Sequence, residues 1–229
     1  MTQLEAGQVF GRLREAYPDA RCELDFNDPF QLLVATVLSA QSTDVRVNKV
    51  TPALFAEAST PEQMVVLGPD RILELIRQIG LAPTKARNLW LAADRIVESG
   101  GEVVPDWEFL ESLAGVGHKT ASVVMSQGFG IPAFAVDTHI HRLAGRWGLS
   151  NATTVERTEA DLKSVFPIDT WNRRHLQIIY FGREHCPALR HDMTECPICS
   201  WAATKKRIAE EGTASKRPSA ATAARRTRT

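Results

Sequence analysis

Apolar residues recur at helical spacing along most of the chain, and no stretch alternates in the manner of a β-strand. An apolar stripe from Leu4 to Tyr17 predicts a helix over residues 5–17. Asn27-Asp28-Pro29 is a helix start, and the nearly all-apolar PFQLLVATVLSA predicts a buried central helix. The pattern therefore predicts an all-α fold. Further helices are predicted over residues 43–55, 70–79, 83–99, 106–113, 138–147, 153–166 and 170–184, with another start at Thr60-Pro61-Glu62.

The length and composition are those of a globular protein. With 229 residues, the chain can form one or two domains with a well-buried core. It is 44% hydrophobic and 24% charged, and no apolar run approaches the length that spans a membrane. The first residues, MTQLEAGQVF, lack the basic start of a secretory signal. We therefore expect a cytoplasmic protein with no membrane partner. We also expect it to act as a monomer.

The formal charge is zero for the whole chain but is unevenly distributed. Residues 212–229 contain five basic residues and no acidic one, so the rest of the chain carries a charge of −5. This tail lacks apolar side chains larger than alanine and is predicted to be disordered. Its charge has two interpretations: weak, salt-dependent contact with nucleic-acid phosphates, or a solubilising role without a partner.

The strongest indication of chemistry is the segment 113–137, LAGVGHKTASVVMSQGFGIPAFAVD. Gly115-Val116-Gly117 separates two apolar runs of helical spacing, which predicts a tight turn whose bare N–H groups can bind a phosphate. Lys119 follows in the first turn of the next helix, and an uncharged amine is a nucleophile. Asp137 comes 18 positions later, after a loop that can bring its carboxylate near the amine. Taken singly, Lys119 also fits a solvated surface lysine, and Asp137 fits a helix N-cap.

As a set, these residues resemble a known family. LAGVGHKTA looks like the helix-hairpin-helix motif of base-excision DNA glycosylases, and VDTHIHR resembles the element that supplies their catalytic aspartate. The lysine–aspartate pairing is that of the endonuclease III family. The resemblance implies that Lys119 is the amine nucleophile, that Asp137 is its carboxylate partner, and that Gly115, Val116 and Gly117 hold DNA phosphates.

Two further segments resemble the same family. LSAQSTD, residues 38–44, is similar to the motif whose glutamine enters the DNA stack, which implies that Gln41 fills the gap left by an extruded base. IGLAPTKARNLW, residues 79–90, is similar to the loop that inserts an apolar wedge, which implies that role for Leu81, beside Lys85 and Arg87. The alternatives are a solvated glutamine at a helix end and a leucine folded back on its helix. Ala82-Pro83-Thr84 departs from the aromatic or polar residues common in this loop, a difference that bears on opposite-base preference.

The resemblance also implies a two-domain arrangement. Residues 22–133 are expected to form a six-helix barrel that contains the helix-hairpin-helix. Residues 1–21 and 134–211 are expected to form a second helical domain, with residues 212–229 as a basic tail. In the family the DNA cleft lies between the two domains, with the positions of Lys119 and Asp137 at its mouth.

The cysteines depart from the family pattern. Cys186, Cys196 and Cys199 are spaced C-x9-C-x2-C, whereas the family pattern C-x6-C-x2-C-x5-C binds a [4Fe-4S] cluster. The first spacing is three residues longer, and Lys205 occupies the expected fourth position. A reducing compartment suits this cysteine usage better than a disulfide framework does.

The fourth ligand is therefore open. His185, His191 or the distant Cys22 could supply it. A zinc site and a loop without any metal are the other interpretations of the same segment.

The sequence and this resemblance together lead to the hypothesis of a base-excision DNA glycosylase with abasic-site β-lyase activity. The resemblance implies double-stranded DNA with oxidised pyrimidines or abasic sites as substrate, and a nick 3′ to the abasic site. Two alternatives stand: a monofunctional adenine glycosylase of the same superfamily, and a non-catalytic or weakly active helix-hairpin-helix DNA-binding protein. Lys119 argues against the first, because such adenine glycosylases typically lack a lysine at this position.

Overall fold

A computed structural model describes residues 3–203 and 205–214 of the chain. All regular secondary structure within these residues is helical, so the prediction of an all-α fold is confirmed for them. The helices, in chain order, are α1 (Gln3–Ala16), α2 (Pro29–Ser39), α3 (Asp44–Glu57), α4 (Pro61–Ile76), α5 (Ala82–Glu98), α6 (Trp107–Ser112), α7 (His118–Val123), α8 (Thr138–Trp147), α9 (Val155–Val165), α10 (Trp171–Glu184), α11 (Cys199–Ala202) and α12 (Lys205–Ala214).

The chain divides into two compact units. The first unit is Arg21–Ala135, which contains α2 to α7. The second unit is formed by the described residues up to Ala20 and those from Val136 onward, which include α1 and α8 to α12.

Helix α2 is the centre of the first unit. Asp28 caps its first turn by accepting a hydrogen bond from the Gln31 N–H at 2.9 Å, and Pro29 occupies the first helical position. Every residue from Phe30 to Leu38 is buried. The central helix expected from the apolar run is therefore present, and α3, α4 and α5 contribute buried apolar side chains to the core that surrounds it.

Helix α4 is interrupted within its length. Gly68 has φ +77° and ψ 159°, a conformation that glycine adopts readily, and Pro69 follows it. The Gly68-Pro69 pair therefore marks a kink between two helical segments. The second segment ends before the Ile79–Gly80 turn that leads into α5.

In the second unit, α8 and α10 form a packed pair. Trp147, at the end of α8, is fully buried and lies edge-on to Phe181 of α10, with 5.5 Å between the ring centroids. The end of α1 is joined to α10 because Gln177 Nε2 donates to the Tyr17 carbonyl at 2.9 Å, and the Tyr17 hydroxyl donates to Glu184 at 2.8 Å.

The last helix of the described residues extends beyond the predicted start of the basic tail. Helix α12 continues to Ala214, inside the segment assigned to the basic tail. Residues 215–229, which contain all five basic residues of that tail, lie outside the described residues. Within the described residues, no helix combines the length and apolar character needed to cross a membrane.

Candidate active site and cysteine cluster

The turn between α6 and α7 depends on Gly115. Leu113 and Val116 are buried and anchor the turn, whereas Gly115 is exposed with φ +80°. A Cβ at Gly115 would lie 2.8 Å from Asn88 Nδ2 and 3.1 Å from Asn88 Cβ. Glycine is therefore favoured at this position both by its backbone conformation and by the close approach of Asn88.

Gly117 has a different environment. It is the N-cap of α7, with φ −100° and ψ 176°, an extended conformation that any residue can adopt. Nothing lies within 4 Å of the place a Cβ would take. The backbone at Gly117 is thus open to the approach of a ligand.

Lys119 is exposed in the first turn of α7, two residues after Gly117. The opposite face of α7 is fixed, because Ala121, Ser122 and Val123 are buried. His118 stacks on Trp107 with 5.3 Å between ring centroids, which packs the start of α7 against α6. The Lys119 amine is therefore presented to solvent by a rigid hairpin.

Asp137 begins α8 in the second unit. Its Oδ1 accepts a hydrogen bond from the Ile140 N–H at 2.8 Å, so it is the N-cap of the helix. That bond engages one carboxylate oxygen, and the side chain is only partly buried. Burial lowers the pKa of the neighbouring His139 despite the opposing effect of the Asp137 charge.

Gln41 and Leu81 lie on neighbouring turns of the first unit. Both residues have left-handed backbone conformations, with φ 56° for Gln41 and φ 60° for Leu81. Both are exposed, and Leu81 has 59% of its surface accessible. A Cβ on Gly80 would lie 3.8 Å from the Gln41 carbonyl oxygen, which places the two turns side by side. Left-handed backbone in residues other than glycine is unusual and often marks functional loops.

Lys85 does not accompany Leu81 at the surface, as its sequence neighbourhood suggested. It is only 5% exposed, and its Nζ donates to the Leu38 carbonyl at 2.8 Å and to the Ala40 carbonyl at 2.5 Å. Burial lowers the pKa of this amine. Lys85 therefore satisfies carbonyl groups at the end of α2, immediately before Gln41. Its position on the apolar face of α5, three residues after Ala82 and four before Leu89, was the signal for this role.

The three C-terminal cysteines lie together with a histidine. Cys186, His191, Cys196 and Cys199 are all buried, and their potential ligand atoms lie within 4.8 Å of one another. Of the other candidates for the fourth ligand, His185 is exposed and Cys22 packs in an apolar cluster of the first unit. These four side chains could hold a metal. The [4Fe-4S] cluster of the family pattern fits them poorly, because three thiols are present where such clusters use four.

Comparison with known proteins identifies the class. The model of the HhH-GPD superfamily base excision DNA repair protein matches residues 34–168, more than half of the chain. The chain belongs to this superfamily.

Individual relatives identify the family within this superfamily. Endonuclease III of Treponema pallidum (strain Nichols) is 48% identical over 82% of the chain and 90% of its own length. Endonuclease III of Escherichia coli (strain K12) is 40% identical over 86% of the chain and 94% of its own length. The solved structure of a trapped endonuclease III–DNA covalent intermediate has a TM-score of 0.86 and 37% identity, covering 93% of the chain and 99% of the solved one. The chain belongs to the endonuclease III family and is a bifunctional base-excision enzyme, a DNA glycosylase with abasic-site lyase activity.

The two hairpin glycines should respond differently to alanine. Gly115→Ala forces a side chain into the left-handed region and against Asn88, so we expect a loss of about 2 kcal/mol in the free energy of unfolding. Gly117→Ala is the matched control. Alanine lowers the backbone entropy of the unfolded chain, which offsets its weaker capping of the helix, so we expect the free energy of unfolding to change by no more than about 0.5 kcal/mol. Urea unfolding of both variants measures this, and equal losses would contradict the roles assigned to the two positions.

Replacement of Lys85 should destabilise the fold, unlike replacement of most lysines, because Lys85 is buried. Lys85→Met keeps the apolar stem but leaves two helix-end carbonyls without their donor, so we expect a loss of about 2–3 kcal/mol in the free energy of unfolding. Arg87→Met, at an exposed position of the same helix, should change it by less than about 0.5 kcal/mol. Chemical denaturation compares the two, and a Lys85→Met variant as stable as the parent would remove Lys85 from this role.

Proposed function

We propose that this enzyme excises oxidised pyrimidines from double-stranded DNA and cleaves the strand 3′ to the resulting abasic site, through a Schiff base on Lys119. The observation that carries the proposal is the exposed position of Lys119 in the first turn of α7, two residues after the glycine turn at residues 115–117. The relative solved as a trapped covalent intermediate with DNA supports a covalent step in this family. An exposed amine on a rigid frame suits such a step.

The damaged nucleotide must leave the duplex first, because its sugar carbon cannot be reached inside the stack. We assign Gln41 and Leu81 to the space that the extruded base vacates. Their exposure on adjacent left-handed turns supports this assignment. An apolar wedge between base steps partly unstacks them and bends the duplex.

We assign the Gly115-Val116-Gly117 backbone to the DNA phosphates. N–H groups at the start of a helix favour negative charge, and the open space at Gly117 lets a phosphate approach the backbone closely. Such contacts fix the register of the protein on one strand without reading the base sequence. This arrangement suits an enzyme that must find lesions in many sequence contexts.

The chemistry then starts from the uncharged Nζ of Lys119. It attacks the anomeric carbon and forms a C–N bond, while the base leaves with the electron pair of the glycosidic bond and takes up a proton. Opening of the sugar ring gives the Schiff base. Loss of a proton from C2′ then expels the 3′ phosphate by β-elimination. Asp137 accepts the amine proton or stabilises the positive charge on the sugar as the base leaves.

Removal of the amine should abolish covalent capture. In the presence of borohydride, the enzyme with an abasic duplex should give a covalent complex, and Lys119→Gln should give none, because an amide cannot form a Schiff base. Lys49→Gln, at an exposed lysine of α3, should still be captured. The complex is measured as a shifted band on a denaturing gel.

Capture that survives in the Lys119→Gln variant would make another amine the nucleophile. Base release from a thymine-glycol duplex separates the proposal from its alternatives, since a non-catalytic DNA-binding protein would release no base. A monofunctional adenine glycosylase would release adenine but leave thymine glycol in place.

The carboxylate of Asp137 can be tested apart from its capping bond. Asparagine caps a helix about as well as aspartate, so Asp137→Asn should leave the unfolding midpoint nearly unchanged while lowering kcat by about 100-fold or more. Asp137→Ala should lose the cap as well, with about 1 kcal/mol of stability. Steady-state kinetics measures kcat, and urea unfolding measures the stability of each variant. A kcat for Asp137→Asn equal to the parent value would reduce Asp137 to its capping role.

A further inference from the structure

The cysteine segment contains a closed group of four buried ligand atoms. Cys186 Sγ lies 3.6 Å from Cys199 Sγ and 3.4 Å from His191 Nε2. With Cys196 Sγ, all four atoms fall within 4.8 Å of one another. Each of these four side chains is at least nine-tenths buried.

We infer that Cys186, His191, Cys196 and Cys199 bind a single zinc ion, with His191 as the fourth ligand. Zn–S and Zn–N bonds of about 2.3 and 2.0 Å in a tetrahedron place the ligand atoms about 3.8 Å apart for S–S and about 3.5 Å apart for S–N. The separations of 3.6 and 3.4 Å in this chain match those values. Three cysteines and one histidine are also a ligand set of structural zinc sites.

The same distances argue against an iron–sulfur cluster. In a [4Fe-4S] cluster each protein ligand binds a different iron at the edge of an eight-atom body, so the ligands must surround that body. Four atoms within 4.8 Å of one another leave room for one ion only. The site also has three thiols, and Lys205 stands where the family pattern has its fourth cysteine.

The groups around the four ligands support a thiolate-bound metal. The Arg146 side chain is 3% exposed, and its Nη1 donates to Cys186 Sγ at 3.1 Å and to the Pro187 carbonyl at 2.8 Å. The Cys199 N–H donates to Cys196 Sγ at 3.5 Å. Zinc with three thiolates carries a net charge of −1, which a buried guanidinium and backbone N–H groups stabilise.

The proposed zinc site would be structural rather than catalytic. All four positions of the tetrahedron would be filled by side chains, which leaves none for a water or a substrate. The ligands join the end of α10, where Cys186 follows His185, to the first residue of α11, Cys199. The residues between these helices contain no other regular helix, so the ion would hold this segment in place.

The metal content of the full-length protein tests the inference directly. Protein produced in medium containing both iron and zinc, and purified without chelators, should contain one zinc per chain by mass spectrometry. It should contain no acid-labile sulfide and show no visible iron–sulfur absorbance. Anaerobic incubation with iron and sulfide should leave the zinc in place. Stoichiometric iron and sulfide, or a chain without metal, would overturn the inference.

Variants of the histidine test the ligand set without measuring enzyme activity. In competition with a chromogenic chelator, His191→Ala should lower zinc affinity by about 100-fold or more, since even outer-shell changes cost 10–100-fold. His185→Ala, at the neighbouring exposed histidine, should leave the affinity unchanged.

His191→Cys keeps the inference testable if His191→Ala fails to fold. It should retain one zinc per chain, and its cobalt-substituted form should show stronger thiolate-to-metal absorption, because four thiolates replace three. Zinc affinity and a cobalt spectrum that both equal those of the parent, in either variant, would exclude His191 as a ligand.

Discussion

A helix that is buried on all sides cannot satisfy its last carbonyl groups with water, and this constraint shapes the first unit. Helix α2 is buried from Phe30 to Leu38, and the Lys85 amine provides the missing donors at Leu38 and Ala40. The same contact joins the start of α5 to the end of α2. It therefore holds the Gln41 turn beside the Leu81 turn, and both side chains face solvent because the backbone beneath them is fixed. Burial of a lysine amine is costly, and here its two hydrogen bonds to carbonyl groups offset that cost while they fix the backbone beneath two exposed residues.

The residues assigned to the chemistry share a further property: each stands at a helix start rather than in a long loop. Lys119 is in the first turn of α7 and Asp137 is the N-cap of α8. Helix starts are fixed by capping bonds and by buried apolar side chains one turn later, as Ala121 and Ile140 are here. Such positions tolerate less displacement than loops do, which suits groups that must meet a reacting carbon within a few tenths of an ångström.

Local patterns in the sequence allowed some of this structure to be predicted. The Asp28-Pro29 start, the apolar run of α2 and the glycine turn at 115–117 are signals carried by adjacent residues, and each has the expected backbone structure. The spacing within α5 places Lys85 on the buried face, but its hydrogen-bond partners are carbonyl groups 45 and 47 residues earlier in the chain, and no local pattern identifies them. The same is true of Asn88, which restricts the space at Gly115, and of Arg146, which is paired with Glu211 across 65 residues.

Among the candidates for the fourth metal ligand, the sequence spacing alone does not select His191. The fold does, because it brings His191 together with the three cysteines. His191 lies midway between Cys186 and Cys196, with four residues on each side, so the longer first spacing is what brings an imidazole into the group. Relative to the family pattern, the three additional residues and the lysine in place of the fourth cysteine are together consistent with the single-ion site proposed above. The proposed reaction is compatible with a zinc ion in place of an iron–sulfur cluster. Attack by an amine and β-elimination move protons and electron pairs but require no electron transfer to or from a metal.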